Sequence, residues 1–127
     1  AGAYLYAALS EEQMPVLTIN PGQTVMVSVG IKTEFSEGYA ALIHARSGLA
    51  TKKGLAPANK VGVIDSDYRG EWFVALHNHS NIPQVIEDGE RIAQVLFQEV
   101  EHPEFVEADD LSETDRGEGG FGSTGTK

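Results

Sequence analysis

The sequence contains no cysteine, which excludes disulfide bridges, thiolate-ligated zinc and a catalytic thiol. It has no uninterrupted apolar run long enough to span a bilayer, and its first residues lack the basic-then-apolar order of a secretory signal. A soluble protein without a membrane partner is therefore expected, with a reducing, cytoplasmic compartment favoured. Basic residues are scarce: nine Lys and Arg stand against nineteen Asp and Glu, for a formal charge of −10. Binding a phosphate backbone relies on many Lys and Arg contacts, so this balance argues against a polynucleotide partner. A small phosphorylated ligand stays compatible, because Arg46, Arg69, Arg91 and Arg116 lie in or beside Gly-rich turns. There is no internal repeat, no Gly-x-Ser-x-Gly elbow and no Walker loop, since Thr126 separates Gly125 from Lys127. His77 and His79 fall on one side of a strand and can pair at a metal, but His44 and His102 are remote in sequence. Two ligands make a weak site, and packing is the better account of them.

What is present is a succession of short β segments punctuated by turn residues. Met14 to Ile19 and Gln23 to Val29 flank Asn20-Pro21-Gly22, a strong turn signal, and the valines and threonine after it favour strand. Tyr39 to Ala45, Lys60 to Asp65, Glu71 to His79 and Arg91 to Val100 read the same way. Only Ser47 to Lys53, stopped by Gly54, has the features of a short helix. Many short strands with almost no helical periodicity predict an all-β fold, a compact distorted barrel or jelly roll. Residues 1–127 are expected to form one domain, with Arg116 to Lys127 as a flexible, Gly-rich C-terminal arm carried on the acidic connection Glu99 to Asp115.

Four constellations can carry chemistry. In the arm, Arg116-Gly117-Glu118-Gly119-Gly120-Phe121-Gly122-Ser123-Thr124-Gly125 combines glycines that let backbone N–H groups approach phosphate, two hydroxyls, a guanidinium and an aromatic face for a base. The same composition also suits a flexible linker. Asn59 to Gly70 reads as one arm of a hairpin whose other arm begins near Glu71, putting Asp65 and Tyr68 at the tip. Asp65 there can serve as a general base, or with Ser66 and Asp67 can simply form the turn. Arg46-Ser47-Gly48 joins a strand to the short helix, so Ser47 either meets an anion at the helix start or only caps it. Gly89 to Gln94 opens a strand after a turn, and Gln94 is a polar intruder that needs a ligand or backbone partner.

In order and spacing these segments resemble the trimeric dUTP pyrophosphatases, the dUTPases, over almost the whole chain. Arg46-Ser47-Gly48-Leu49-Ala50 looks like the second family motif, Gly62 to Gly70 the third, Gly89 to Gln94 the fourth and Arg116 to Gly125 the fifth. The resemblance implies a β-barrel homotrimer with three active sites, each assembled from all three subunits and closed by a neighbour's arm. By the same resemblance Asp65 would activate the water that attacks the α-phosphorus of dUTP, releasing dUMP and pyrophosphate. Tyr68 would pack on the deoxyribose, while Asn59 and the backbone near Gly62 would read uracil. Arg46, Ser47, Gly48 and Gln94 would hold the triphosphate. Phe121 would stack over the base, and Arg116, Gly122, Ser123 and Thr124 would complete the grip on the substrate. Mg2+ would be bound through phosphates and water, without direct protein ligands.

The departure is at the start, where Ala1-Gly2-Ala3-Tyr4-Leu5-Tyr6-Ala7 looks like the first motif with Tyr4 in place of the family's aspartate. That aspartate normally reaches magnesium through water. The strand that usually precedes this motif is absent, which implies a trimmed sequence or a shortened protein. Two other functions compete with hydrolysis. One is that of the dCTP deaminases, which resemble dUTPases in fold and nucleotide binding but act on the base. The other is a nucleotide-responsive regulatory binding protein that keeps the dUTPase fold. The Gly62 to Tyr68 segment and the Phe121 arm favour hydrolysis.

Overall fold

The computed structural model describes residues 1–127. Its elements are β1 (Ala3–Tyr6), β2 (Val16–Ile19), β3 (Thr24–Ser28), β4 (Tyr39–His44), α1 (Ser47–Lys53), β5 (Leu55–Pro57), β6 (Gly62–Asp65), β7 (Phe73–Asn78), β8 (Gln84–Glu87) and β9 (Arg91–Glu99). The strands form a four-stranded sheet in the order β1-β9-β4-β6, a three-stranded sheet β3-β7-β5 and a pair β2-β8, with every pairing antiparallel. This is the mostly β, jelly-roll-like arrangement anticipated from the turn spacing, with one short helix. Backbone hydrogen bonds do not join the three sheets into a continuous closed barrel. No helix is long and apolar enough to cross a membrane.

Two local readings change. β6 does not form a hairpin with the segment after Glu71: it pairs with β4, Ala40 opposite Asp65 and Ile43 opposite Gly62, while β7 belongs to the other sheet. Turn chemistry around Ser66 and Gly70 signals a reversal but does not say which strand is met afterwards. Ser47 is not the helix cap, because Arg46 holds the extended backbone of that position, with no side-chain bond to the exposed N–H groups. Gly54 does end the helix. Its φ of +67° suits glycine, and a Cβ there would lie 2.8 Å from the Ser80 Cβ.

The core is one cluster drawn from all three sheets, with Ile19, Leu55, Leu76, Ile86, Ile92 and Ala93 fully buried. Trp72 sits just ahead of β7, fully buried, and its indole N–H donates to Thr33 Oγ1 at 3.1 Å. Phe97 extends the apolar contact outward, meeting Phe35 edge-on at 5.1 Å between ring centres. After β9 the chain leaves the body: residues 101–118 are exposed throughout, and every hydrogen bond made beyond Val100 joins two residues of the 101–127 segment.

The one fully buried polar side chain, Asn78, joins the end of β7 to two other segments. Its Nδ2 donates to Ile19 O and Ile82 O, both at 2.8 Å, and its Oδ1 accepts from Ser80 N at 2.9 Å and Ser80 Oγ at 2.7 Å. Truncation would remove four hydrogen bonds, one of them to the buried Ile19 O, and a buried polar group left without a partner costs about 1–3 kcal/mol. Asn78→Ala is therefore expected to lower unfolding free energy by about 2 kcal/mol or more in urea titration. A loss below about 0.5 kcal/mol would show that water replaces the side chain at no cost.

Candidate active site

Backbone pairing brings the candidate residues together in separate groups. In the first, Tyr4 on β1 lies opposite Gln94 on β9, and Gln94 lies opposite His44 on β4. Directly opposed residues of antiparallel strands project from the same face, so this row is shared by three strands. Gln94 is half-buried and donates from Nε2 to Ala45 O at 3.0 Å, fixing the point where β4 turns into α1. Its partner is thus backbone, and its amide keeps a second N–H for a ligand. Gly2 lies close against this amide, since a Cβ there would come within 2.9 Å of Gln94 Oε1.

Arg46 follows at once. Its Nη1 donates to Arg91 O at 3.1 Å, and its guanidinium carbon lies 5.3 Å from the centre of the Tyr4 ring. Arg91 stacks on the same ring at 4.6 Å and reaches Tyr6 at 5.9 Å. The two ion pairs of the molecule, Lys53 with Glu90 and Arg69 with Glu34, include neither of these arginines. Ser47 is exposed with no hydrogen bond from its hydroxyl, and Gly48 faces open space. The group therefore offers donors and positive charge, the chemistry of an anion seat. It does not fit a protein-held magnesium ion: no three His, Asp or Glu side chains converge as cation ligands anywhere in the chain.

The second group surrounds the gap between β6 and β7. β6 is an edge strand whose only ladder is with β4, and β7 meets β5 only from Leu76 onward, so Gly62 to Ile64 and Phe73 to Val74 face each other without backbone pairing. A slot of about 100 Å³ lies here, lined by Asn59, Gly62, Val63, Ile64, Phe73 and Val74 among others. It continues into a cavity of about 290 Å³ bordered by Asp65, Tyr68, Glu71 and Phe73. Gly62 is closely packed: a Cβ would lie 3.2 Å from Ile43 Cβ and 3.3 Å from Asn59 Nδ2, tight enough that these neighbours would have to give way slightly. In the turn, Tyr68 N donates to Asp65 O at 3.1 Å and the Tyr68 hydroxyl donates to Glu71 O at 3.0 Å. The Asp65 carboxylate is exposed and accepts no hydrogen bond from the protein. Phe73 borders both spaces, yet in sequence it reads as an ordinary apolar strand residue.

The third group, Arg116, Phe121, Gly122, Ser123 and Thr124, touches neither of the others. Phe121 is fully exposed with φ +50°, and Ser123 N donates to Gly120 O at 3.1 Å in a local turn. Nor do the first two groups converge. Asp65 stands in line with Ala40 and Gln98, whereas Tyr4 stands in line with Gln94, three strands across and four residues along β9. Strand spacings of about 4.8 Å and a rise of about 3.3 Å per residue put the two backbones roughly 20 Å apart. His77 has its own partner, its Nδ1 lying 2.8 Å from Thr24 Oγ1.

A family model described as dUTPase matches residues 13–125. The deoxyuridine 5′-triphosphate nucleotidohydrolase of Desulfitobacterium hafniense (strain DSM 10664 / DCB-2) is 55% identical over 126 residues, covering 98% of this chain and 81% of that protein. The protein of the same description from Anaplasma marginale (strain St. Maries) is 45% identical over 126 residues, covering 99% and 83%. Among solved structures, the dUTPase from Streptococcus mutans superposes with a TM-score of 0.72 at 32% identity, over 83% of this chain and 82% of the other. The Staphylococcus bacteriophage 80alpha dUTPase with dUpNHpp gives a TM-score of 0.86 at 25% identity, over 99% and 86%.

The Tyr68 ring is held against Gly70, where any Cβ would overlap its hydroxyl end. In Gly70→Ala the ring is expected to swing away and surrender its bond to Glu71 O, with a stability loss of about 0.5–1.5 kcal/mol. A crystal structure of the variant with that hydrogen bond intact would contradict this.

Proposed function

The chain belongs to the dUTPase family and is a dUTP diphosphatase, and we propose that its active sites are shared between three copies of the chain, with Asp65 as the general base. In the reaction, water oxygen bonds to the α-phosphorus, the bond from that phosphorus to the α,β-bridging oxygen breaks, and dUMP and pyrophosphate leave. Asp65 takes the proton from the attacking water. The observation that carries this reading is the unpaired gap between β6 and β7, with Asp65 and Tyr68 at its mouth. Free backbone groups along Gly62 to Ile64, with Asn59, can bond a pyrimidine edge, and the Tyr68 ring can cover a deoxyribose and leave no room for a 2′-hydroxyl.

The triphosphate is assigned to Arg46, Ser47, Gly48 and the remaining N–H of Gln94. Gln94 lies two strands across and four residues along from the row of Asp65, roughly 16 Å away by the same strand spacings, so we assign the two ends of one nucleotide to different copies. A closed threefold ring supplies three such sites. Arg116, Phe121, Gly122, Ser123 and Thr124 are assigned to closing over the nucleotide: stacking on the base, and donating to the outer phosphates. Magnesium belongs to this proposal as a counter-ion carried by the triphosphate, where it supplies charge neutralisation.

Asp65→Asn is expected to keep dUTP binding while hydrolysis falls by at least about a hundredfold, the lower range for losing a positioned base. Pyrophosphate release by the purified variant at near-normal rate would remove Asp65 from the mechanism. Deleting Arg116 to Lys127 is expected to leave a trimer by light scattering and to abolish most turnover. A truncated protein that hydrolyses dUTP at the full rate, or an active monomer, would refute the shared site closed by the arm.

A further inference from the structure

We propose that Tyr4 is a positioning residue, whose ring holds Arg46 and Arg91 side by side as a paired-guanidinium seat able to take a polyphosphate without a divalent cation. The proposal rests on reading this group as the triphosphate end of the site. Both guanidinium carbons lie within cation–π range of the one ring, at 5.3 Å and 4.6 Å, and the Tyr6 ring supports Arg91 from a second side at 5.9 Å. The bond from Arg46 Nη1 to Arg91 O, 3.1 Å, ties one side chain to the backbone that carries the other.

The electrostatics are unusual for this chain. Nineteen acidic residues outnumber nine basic ones, yet neither arginine has an acidic partner. Like charges held together without a carboxylate repel, and the negative face of a ring offsets part of that repulsion while using none of the N–H donors. Each guanidinium has five such donors, and only one, on Arg46, is engaged. A lone carboxylate would satisfy one fork, whereas a chain of phosphates presents enough oxygens for both. The Ser47 hydroxyl and the open approach at Gly48 adjoin the seat. The Tyr4 hydroxyl makes no hydrogen bond, so the ring face alone carries the effect.

The test is calorimetric titration of the full chain with inorganic tripolyphosphate in excess EDTA. Wild type is expected to bind, with Tyr4→Phe within about twofold of it. Tyr4→Leu is expected to bind about 4- to 25-fold more weakly, two exposed cation–π contacts being lost at a factor of about 2–5 each. In an Arg91→Gln background the penalty of Tyr4→Leu should shrink at least about twofold, because one of the two contacts is already gone; thermal melting checks that each variant is folded. Equal binding by Tyr4→Leu and wild type, an undiminished penalty in the Arg91→Gln background, or wild-type binding only after magnesium is added would overturn the proposal. Wild-type dUTP hydrolysis is assayed in parallel with magnesium. Activity without metal-free binding refutes this inference alone, whereas binding without dUTP turnover refutes the assigned function and leaves the seat standing.

Discussion

Much of the architecture depends on β9 being paired along both edges at once. Its first half runs beside β1 and its second beside β4, and Gln94 and Val95 are paired on both sides. A strand anchored by one neighbour at its start and another at its end has little freedom of register, because a one-residue slip would turn Val95 out of the core and Gln94 into it. Side chains contributed by β1, β4 and β9 are thereby fixed relative to one another although they come from distant parts of the sequence. The Gln94 amide, bonded to Ala45 O, then transmits that placement to Arg46 and the first residues of α1.

The same sheet keeps chemistry apart. β1 and β6 are its two edges, one beside the arginines and the other bearing Asp65. Edge strands leave backbone donors and acceptors unpaired, and natural proteins cover them or use them. Here β6 faces β7 across a narrow slot, which shields the edge from another strand. On the proposed assignment, the separation of the slot beside Asp65 from the arginines makes one copy of the chain half of a site twice over, with another copy supplying the missing half.

Charge is distributed to match. The excess of acid is spread over exposed loops and the stretch from Glu99 to Asp115, while Arg46 and Arg91 stand unpaired beside aromatic faces. An acidic surface disfavours polyanions that need a broad contact, and on the proposed assignment the two arginines form a local site for a compact one. This reconciles a formal charge of −10 with a phosphate-bearing substrate.

Some of this is fixed by local sequence. Asn20-Pro21-Gly22, Asp88-Gly89 and Gly54 dictate reversals and a helix end through backbone conformations that hardly depend on the rest of the chain, and the β-branched residues of Thr24 to Val29 favour strand. The short strands Leu55–Pro57 and Gln84–Glu87 were not legible, being too brief for a period and, in the first, carrying a proline; they exist because β7 and β2 offer partners. Motif order marked Asp65, Tyr68, Arg46 and Gln94 as a set, yet could not distribute them between two ends of a sheet. It marked Tyr4 as a departure and Arg91 as a basic residue beside a turn without showing that they meet, and was silent on Phe73, because these contacts arise from neighbours more than forty residues away or across a gap. Sequence by itself determined the types of element, the turns and the chemical inventory, since these follow from torsional preference and residue type. Strand pairing, the unpaired gap and the stacked arginines were decided only by the tertiary structure, because they depend on which distant edges hydrogen-bond and which side chains then share a face.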